Sequence, residues 1–139
     1  MSDANKALVK RWFEEVWNKG RVEAIDEMMP ADSIGHGLGR NGETLQGPTG
    51  FKPFHKQFRE ALKDMHIEVA DIVAEGDRVV TRCIVTGTHT GEFMGVPPSG
   101  KKVRFEGTTI TRVKNGKIAE GWNYYDFPTL YRTLGVPMQ

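Results

Sequence analysis

The first third of the chain carries apolar residues at helical spacing. In the opening segment, Lys, Arg and Glu side chains separate Leu8, Val9, Trp12, Phe13, Val16 and Trp17. This spacing places the apolar side chains on one face of an amphipathic helix, with Ser2 or Asp3 as its cap and Asn18-Lys19-Gly20 as its stop. A second, shorter helix is predicted through Val22, Ile25, Met28 and Met29, and Pro30 closes it.

The pattern changes twice in the next segment. Residues 31–47 are rich in Gly and polar side chains, include His36, and are predicted to form a loop with one short strand. Helical spacing then returns in a third helix, whose apolar side chains are three, four and four positions apart: Phe51, Phe54, Phe58 and Leu62. Pro53 is expected in the first turn of this helix, where its missing N–H group matters least.

Beyond residue 66 the chain has the composition of strands, with many Val, Ile, Thr and aromatic residues. The predicted strands are 67–74, 78–90, 102–114 and 117–127. Glu75-Gly76-Asp77 makes a tight turn between the first two, and Asn115-Gly116 is a strong hairpin signal between the last two. A longer connection, 91–100, joins the middle pair, and a final short helix is predicted over 128–135.

The order of these elements predicts the fold class. Helices come first and hairpin-connected strands follow, which favours an α+β domain in which a curved antiparallel sheet wraps around the N-terminal helices. We expect one such domain over residues 1–139, because the sequence has no linker and no internal repeat. A sheet that curls around helices forms a cone with a closed end and an open mouth, and its apolar central pocket is the usual place for a small molecule.

Composition and charge narrow the function classes. Of the 139 residues, 38% are hydrophobic and 27% are charged, and the net charge of +1 comes from basic and acidic residues mixed along the chain. Such a distribution excludes an electrostatic surface for nucleic acid or an anionic membrane. The polar start does not resemble a signal peptide, and no apolar run approaches the roughly 20 residues that span a bilayer. We therefore expect a cytoplasmic protein whose single cysteine, Cys83, is a buried thiol.

Several motifs follow one another in the order of a known family. They are His36-Gly37, Gly47-Pro48-Thr49-Gly50, Val73-Ala74-Glu75-Gly76-Asp77-Arg78-Val79-Val80, Gly87-Thr88-His89-Thr90-Gly91-Glu92-Phe93, Gly95-Val96-Pro97-Pro98-Ser99-Gly100 and Gly116-Lys117-Ile118-Ala119-Glu120-Gly121-Trp122. Together they resemble the SnoaL-like polyketide cyclases over nearly the whole chain. The resemblance implies the nuclear transport factor two-like fold and a homodimer or higher homo-oligomer. Because that superfamily also contains isomerases, hydrolases and binding domains, the match is specific for the family and not for a reaction.

For activity, the resemblance implies a cyclase that closes a ring by an intramolecular aldol reaction without a cofactor. In the characterised cyclases an aspartate at the end of the last strand acts as general acid/base, and the matching residue is Asp126. A histidine between the helices and the sheet often assists, and His36 matches it by position. The expected ligand is a small apolar carbonyl compound of polyketide type, and the reaction class is that of a lyase or isomerase.

The last strand supports the same site through its own pattern. Ile118, Glu120, Trp122, Tyr124 and Asp126 have one parity and therefore share one face. If that face lines the pocket, aromatic walls surround the Asp126 carboxyl, raise its pKa toward neutral pH and suit it to move a proton beside a carbonyl. Asp126-Phe127-Pro128 is also typical of a helix start, so Asp126 could cap the final helix, alone or in addition.

Further aromatic and histidine residues complete the predicted binding site. Those expected to contact the ligand are Trp12, Phe54, His55, Phe58, His89, Trp122 and Tyr124. Alternatives exist: aromatic residues could fill the core, and His89 could orient the turn at Gly91 through a hydrogen bond to the backbone. Glu120 could pair with Arg82 or Arg112 instead of entering the pocket.

Other chemistries have weaker support in the sequence. A metal site would need three or four of His36, His55, His89, Glu120 and Asp126 to converge, and no zinc-binding spacing is present. There is no Gly-x-Ser-x-Gly elbow and no phosphate-binding glycine loop, so we predict neither a metal nor a cofactor. Three alternatives to ring closure stay open: double-bond isomerisation, epoxide opening by an Asp–Arg–Asp arrangement with Arg82 or Arg112, and non-catalytic ligand binding or dimerisation.

Overall fold

The structure begins with helices and continues mostly with strands over residues 2–39 and 41–137, which the computed structural model describes. The helices are α1 (Ser2–Arg11), a π-helix (Trp12–Asn18), α2 (Val22–Met28), α3 (Gly47–Ala61) and α4 (Phe127–Leu134). The strands are β1 (Ile34–Leu38), β2 (Glu43–Gln46), β3 (His66–Glu75), β4 (Arg78–Thr88), β5 (Lys102–Lys114) and β6 (Lys117–Tyr125). The predicted α+β class is confirmed.

The six strands of the described ranges form one curved, open sheet in the order β2-β1-β6-β5-β4-β3. The pairs from β3 to β6 are antiparallel, as predicted. In contrast, β1 pairs with β6 in the parallel direction, which departs from the predicted antiparallel sheet. The reason is topological, because β1 and β6 are far apart in sequence and no hairpin turn fixes their relative direction.

The turn between β5 and β6 is the one that the sequence predicts. Asn115 and Gly116 have φ values of 54° and 70°, the left-handed conformation that an Asn-Gly pair favours in a two-residue hairpin. The four predicted strands and the final helix also occur where they were expected, with ends that differ by two residues at most.

A bulge in β6 changes the face on which its side chains lie. Arg112 of β5 lies opposite Glu120, whereas the next residue, Val113, lies opposite Ile118, so Ala119 is an extra residue in β6. Such an insertion exchanges the two faces of a strand for every residue beyond it. Beyond the bulge, the inner face of β6 therefore presents Gly121, Asn123 and Tyr125.

The first predicted helix is divided in two. After ten residues α1 ends, and the next turn widens into a π-helix, whose last bond runs from the Lys19 N–H group to the Glu14 carbonyl oxygen at 2.9 Å. The sequence predicted one continuous helix, because the apolar residues keep the same helical spacing on both sides of the point where the π-helix begins. The wide turn places Trp12 and Trp17 on one side, where both rings contact Phe51.

The region before α3 holds more regular structure than predicted. Residues 31–47 contain two strands, β1 and β2, rather than one. Because α3 begins at Gly47 with Pro48 in its first turn, the expectation that Pro53 lies there was wrong, and Pro53 is inside the helix. Gly47 makes the early start possible: at φ 64° it turns the chain directly into α3, while its N–H group bonds to the Ser33 carbonyl oxygen at 2.8 Å.

The helices pack on the inner face of the sheet and enclose the core. Val79, Cys83 and Phe105 are buried on that face and belong to one cluster with Val16 and Phe58 from the helices. The prediction that Cys83 is a buried thiol is confirmed. Within the described ranges, no helix is both long enough and apolar enough to cross a membrane.

Candidate functional site

An apolar cavity of about 90 Å³ lies between the helices and the inner face of the sheet. The helices contribute aromatic walls: Trp12, Phe13 and Trp17 from the π-helix, and Phe51, Phe54 and Phe58 from α3. The sheet contributes Val85, Phe105, Thr109, Thr111, Asn123 and Tyr125. The Trp17 ring packs edge-on against the three phenyl rings of α3, which holds these walls in place. Of the predicted ligand contacts, Trp12, Phe54 and Phe58 lie in the cavity.

A second, more open cleft of about 370 Å³ lies beside the cavity. It is lined by the turn between β1 and β2 and by the first part of α4. Asn123, Tyr125 and Phe127 line both spaces and therefore form the boundary between them. A ligand of several rings could place one end in the cavity and extend past this boundary into the cleft.

Three polar side chains form a hydrogen-bonded chain at this boundary. Asn123 Nδ2 donates to the backbone carbonyl oxygen of His36 at 2.9 Å, which directs Asn123 Oδ1 toward Thr109. The Thr109 hydroxyl donates to Oδ1 at 3.0 Å and lies 2.9 Å from the Tyr125 hydroxyl. Because Thr109 has a single hydroxyl proton, Tyr125 is the donor in the second bond. One backbone carbonyl therefore sets the direction of the whole chain.

The Tyr125 hydroxyl is a neutral group at physiological pH. The residue is half-buried, but its hydroxyl is covered, and this burial raises the pKa of Tyr125 well above its ordinary value, with the neighbouring Cys83 thiol acting in the same direction. The ring lies across β5 at Gly107, its partner in the strand register, and a methyl group at Gly107 would overlap the ring. The hydroxyl is therefore positioned as a hydrogen-bonding group and does not ionise to become a base.

Asp126 does not line the cavity. Its side chain is exposed and caps α4: the Thr129 hydroxyl donates to Oδ2 at 2.5 Å, and the Thr129 N–H group donates to Oδ1 at 3.2 Å. Both bonds lower the pKa of Asp126, and the bond from the Thr129 hydroxyl has the larger effect. Aromatic walls around the carboxyl would instead raise its pKa. The predicted position of Asp126 in the pocket is therefore wrong, and the alternative that it caps the final helix is confirmed.

Trp122 and Tyr124 lie on the outer face of the sheet, also contrary to prediction. The bulge at Ala119 is the reason, because it reverses the parity of β6. Trp122 stacks with the ring of His36 at 5.6 Å, and the Arg78 guanidinium lies 4.8 Å from its ring centre. Tyr124 is 64% exposed and borders the outer cleft rather than the cavity.

His36 belongs to this outer cluster and not to the cavity, so its predicted place in the pocket is also wrong. Its Nε2 lies 2.6 Å from Glu120 Oε2, while Arg112 donates to Oε1 of the same carboxylate at 3.4 Å. His36 first, and then Arg112, lower the pKa of Glu120. The predicted ion pair between Glu120 and Arg112 is confirmed. At the cavity boundary, His36 contributes its main-chain carbonyl to Asn123.

His55 and His89, two other predicted ligand contacts, are buried outside the cavity. His55 is 2% exposed, its Nε2 bonds to the Val16 carbonyl oxygen at 2.6 Å, and burial lowers its pKa. His89 is fully buried, and its Nδ1 accepts a hydrogen bond from the Ser99 N–H group at 3.2 Å, which holds the 91–100 connection. His89 therefore makes a backbone hydrogen bond, as the alternative predicted, but its partner is Ser99 and not the turn at Gly91.

The part of the chain that the structure describes does not assemble the other sites considered. Among those residues, no group of three or more His, Cys, Asp or Glu side chains could hold a metal ion. On the outer face, Arg82 pairs with Asp71 at 2.6 Å and with Glu106 at 3.2 Å, and Arg112 pairs with Glu120. The arginines of an Asp–Arg–Asp arrangement thus lie away from the cavity.

Sequence reasoning missed the polar groups of the cavity, above all Thr109, Asn123 and Tyr125. The alternation of β5 held a usable signal, because Val103 and Phe105 predict an inner face that also carries Thr109. Asn123 and Tyr125 were hidden by the bulge. As built, the described lining combines aromatic surface with neutral hydrogen-bonding groups, an arrangement that can bind a flat apolar ligand and contact its oxygens.

Comparisons with known proteins agree with this fold. A family model of SnoaL-like polyketide cyclases matches residues 7–134. The aklanonic acid methyl ester cyclase DnrD of Streptomyces peucetius is 26% identical over 131 residues, which cover 94% of this chain and 90% of the relative. The nogalonic acid methyl ester cyclase of Streptomyces nogalater is 27% identical over 127 residues, with 87% and 90% covered. Among solved structures, AclR from Streptomyces galilaeus, described as a candidate hydroxylase, has a TM-score of 0.86 at 28% identity and covers 99% of this chain and 100% of its own.

Proposed function

Because the chain belongs to the family of SnoaL-like polyketide cyclases, we propose that it closes a ring in a polyketide-like carbonyl compound by a cofactor-independent aldol reaction. The observation that carries the proposal is an aromatic cavity with a directed hydrogen-bond chain, Asn123, Thr109 and Tyr125, at its boundary. The aromatic walls suit a flat ligand, and the polar chain suits an oxygen on it. The relatives named as cyclases of aklanonic and nogalonic acid methyl esters supply the compounds to test first.

Ring closure requires a carbon nucleophile and a carbonyl group held close together. A carbon beside one carbonyl loses a proton to solvent water, the enolate attacks a second carbonyl carbon of the same molecule, and the oxygen of that carbonyl takes up a proton from water. All atoms of the substrate are retained in the product. The walls from the π-helix and α3 hold the substrate in a folded shape, which removes an entropic barrier that the reaction has in water.

The polar chain stabilises the oxygen on which negative charge develops. One hydrogen of the Asn123 amide is held by the His36 carbonyl, and the second is available to a ligand. The Tyr125 hydroxyl can turn from Thr109 to a ligand oxygen, because its bond to the neutral Thr109 hydroxyl is easily exchanged. The raised pKa of Tyr125 keeps the hydroxyl protonated, so it acts as a donor to that oxygen. In enzymes, removal of one such donor typically lowers kcat by about 10² to 10³.

Proton removal favours a particular kind of substrate. No carboxylate, imidazole or cationic side chain lines the cavity in the described residues. A carbon between two carbonyls is a comparatively strong carbon acid and loses its proton without a strong base. A β-dicarbonyl compound therefore fits this site best, because the cavity supplies positioning rather than a basic side chain. A general acid/base role of Asp126 stays a prediction, which the Asp126→Asn variant tests.

The experiment incubates the purified chain with aklanonic and nogalonic acid methyl esters and follows products by chromatography and mass spectrometry. Ring closure gives a product of unchanged mass, whereas hydroxylation would add one oxygen. We expect Tyr125→Phe to lower kcat by about 100- to 1,000-fold. Thr86→Val removes a hydroxyl from the outer face of β4, outside the lining of both the cavity and the cleft, and should leave kcat unchanged. Equal losses in both variants, or an oxidised product, would contradict the proposal.

A second candidate function is ligand binding without turnover, and the absence of ionisable groups from the described cavity lining favours it. Trp12 and Trp17 line the cavity, so their fluorescence reports on a bound ligand. Saturable quenching by either methyl ester, with the compound recovered unchanged after prolonged incubation, would support the binding function over the cyclase.

A further inference from the structure

Thr111 places a hydroxyl group in the sheet wall of the cavity, beside the polar chain already described. The residue lies on β5, two positions beyond Thr109 and therefore on the same face of the sheet. It is 5% exposed and lines the cavity. Its register partner on β6 is Gly121, and a methyl group built there would have only ordinary contacts, the nearest at 3.8 Å. The strand that borders Thr111 thus leaves open space next to its side chain.

The Thr111 hydroxyl is unpaired but not covered. Within the described ranges its side chain makes no hydrogen bond, and Ser33 Oγ is the one side-chain oxygen there that is both fully covered and unpaired. The Thr111 oxygen therefore keeps accessible surface, and because the residue belongs to the inner face of the sheet, that surface opens on the cavity. Hydroxyl groups in protein interiors are normally paired. A hydroxyl can donate or accept, so a ketone, phenol or alcohol oxygen of a ligand would pair with this one.

The strand register sets the distance between Thr111 and the polar chain. Asn123 lies opposite Thr109, whereas Gly121 lies opposite Thr111. Two positions along a strand correspond to roughly 7 Å, so one flat ring system can reach both polar points. The hydroxyl of Thr109 is already bonded to Asn123 and Tyr125. Of the two threonine hydroxyls in this wall, the one on Thr111 is therefore free for a ligand within the described residues.

We propose that Thr111 is a specificity-determining residue, whose hydroxyl binds a second oxygen of the ligand while the first oxygen contacts Asn123 and Tyr125. The ligand class is a flat, fused-ring compound with two oxygen functions roughly 7 Å apart, on neighbouring rings. The inference rests on the proposed function in placing the ligand in the same cavity. It concerns binding and does not require turnover.

The test uses two flat probes that differ in one oxygen, 2,6-dihydroxynaphthalene and 2-naphthol, and measures their affinities by titration calorimetry. The parent chain should bind the dihydroxy probe about three- to tenfold more tightly than the monohydroxy probe. In Thr111→Val this preference should fall by about threefold or more, because the second hydroxyl of the probe is then buried without a partner. The symmetry of the dihydroxy probe affects both proteins equally. Thr108→Val removes a hydroxyl from the outer face of the same strand and should keep the preference of the parent.

A thermal melt separates a ligand contact from a structural role. Because the Thr111 hydroxyl has no partner in the described part of the chain, Thr111→Val should unfold at the same temperature as the parent or at a higher one. A lower unfolding temperature, an unchanged preference between the probes, an equal fall of that preference in Thr108→Val, or no binding of the dihydroxy probe to the parent chain would each overturn the proposal. Failure of the cyclase proposal would appear instead as absent turnover with this probe preference intact.

Discussion

The Nε2 atom of His55 donates a hydrogen bond of 2.6 Å to the backbone carbonyl oxygen of Val16 and so joins α3 to the π-helix. Because a carbonyl oxygen only accepts, the bond fixes the tautomer with the proton on Nε2. The same imidazole packs against the Trp17 ring at 4.9 Å. His55 thus connects the two helices that supply the aromatic walls of the cavity.

This buried histidine should make the protein less stable in mild acid. Burial lowers the pKa of His55 below its ordinary value of 6.5, so the unfolded chain binds a proton more readily than the folded one. Stability is therefore fully present above that value and is lost as pH falls below it. We expect the free energy of unfolding to fall between about pH 7 and about pH 5 in urea titrations.

His55→Gln is the matched variant, because an amide can keep the bond to Val16 but does not titrate. The difference in stability between parent and variant should shrink or reverse as the pH falls. A difference that stays constant over this range would show that His55 does not titrate in the predicted direction.

Asp126→Asn should leave both stability and turnover close to those of the parent. Asparagine is as good a helix cap as aspartate, and the side chain has no place in the cavity wall. Asp126→Ala removes the cap and should lower Tm by a few degrees without a selective loss of kcat. Thermal melts and the product assay measure the two effects. A large loss of kcat in Asp126→Asn at unchanged Tm would restore the acid/base role predicted for this residue.

Asn123→Asp should destabilise the protein, and more so as the pH rises. A carboxylate cannot donate to the His36 carbonyl, and it would meet that oxygen in an apolar setting, so its pKa would be raised. Stability would then be retained at low pH, where the new group is neutral, and lost through the raised pKa. Thermal melts of parent and variant at acidic and neutral pH test this, and a pH-independent difference would contradict it.

A homo-oligomer stays a prediction, and the outer face of the sheet is where we expect its interface. Val73 is 61% exposed on that face and Tyr124 is 64% exposed, although both are large apolar groups. If the subunits meet there, Val73→Lys should shift sedimentation toward the monomer. Val22→Lys, at an exposed valine on α2, should not. A monomeric parent chain, or an equal response of the two variants, would remove the outer face from any such role.

The fold could be predicted from the sequence because its signals are local and repeated. The Val- and Thr-rich strands, the Asn115-Gly116 turn and the apolar spacing of the helices each predict an element without reference to the others. Three features are not of this kind: the parallel pairing of β1 with β6, the π-helix and the bulge at Ala119. These features depend on tertiary packing, and no repeating pattern of apolar residues in the sequence predicts them.

The candidate site was predicted less well because it depends on one of those features. Along β6, alternate residues share one face of the sheet up to Ala119 and again beyond it, but the extra residue at Ala119 exchanges the two faces. That single extra residue places Trp122 and Tyr124 outside and Asn123 and Tyr125 inside. The aromatic residues of the helices, Trp12 and Phe58 among them, were assigned to the cavity without this difficulty, because the π-helix leaves the apolar residues on the side that faces the sheet.

The shape of the cavity depends on the absence of a side chain at Gly107. With no side chain on β5 at that point, the Tyr125 ring lies flat over the strand and its hydroxyl reaches Thr109. Any larger residue at position 107 would lift the ring off the sheet and move the partition between the inner cavity and the outer cleft. The size of ligand that this protein accepts can therefore change through a backbone position that no ligand touches.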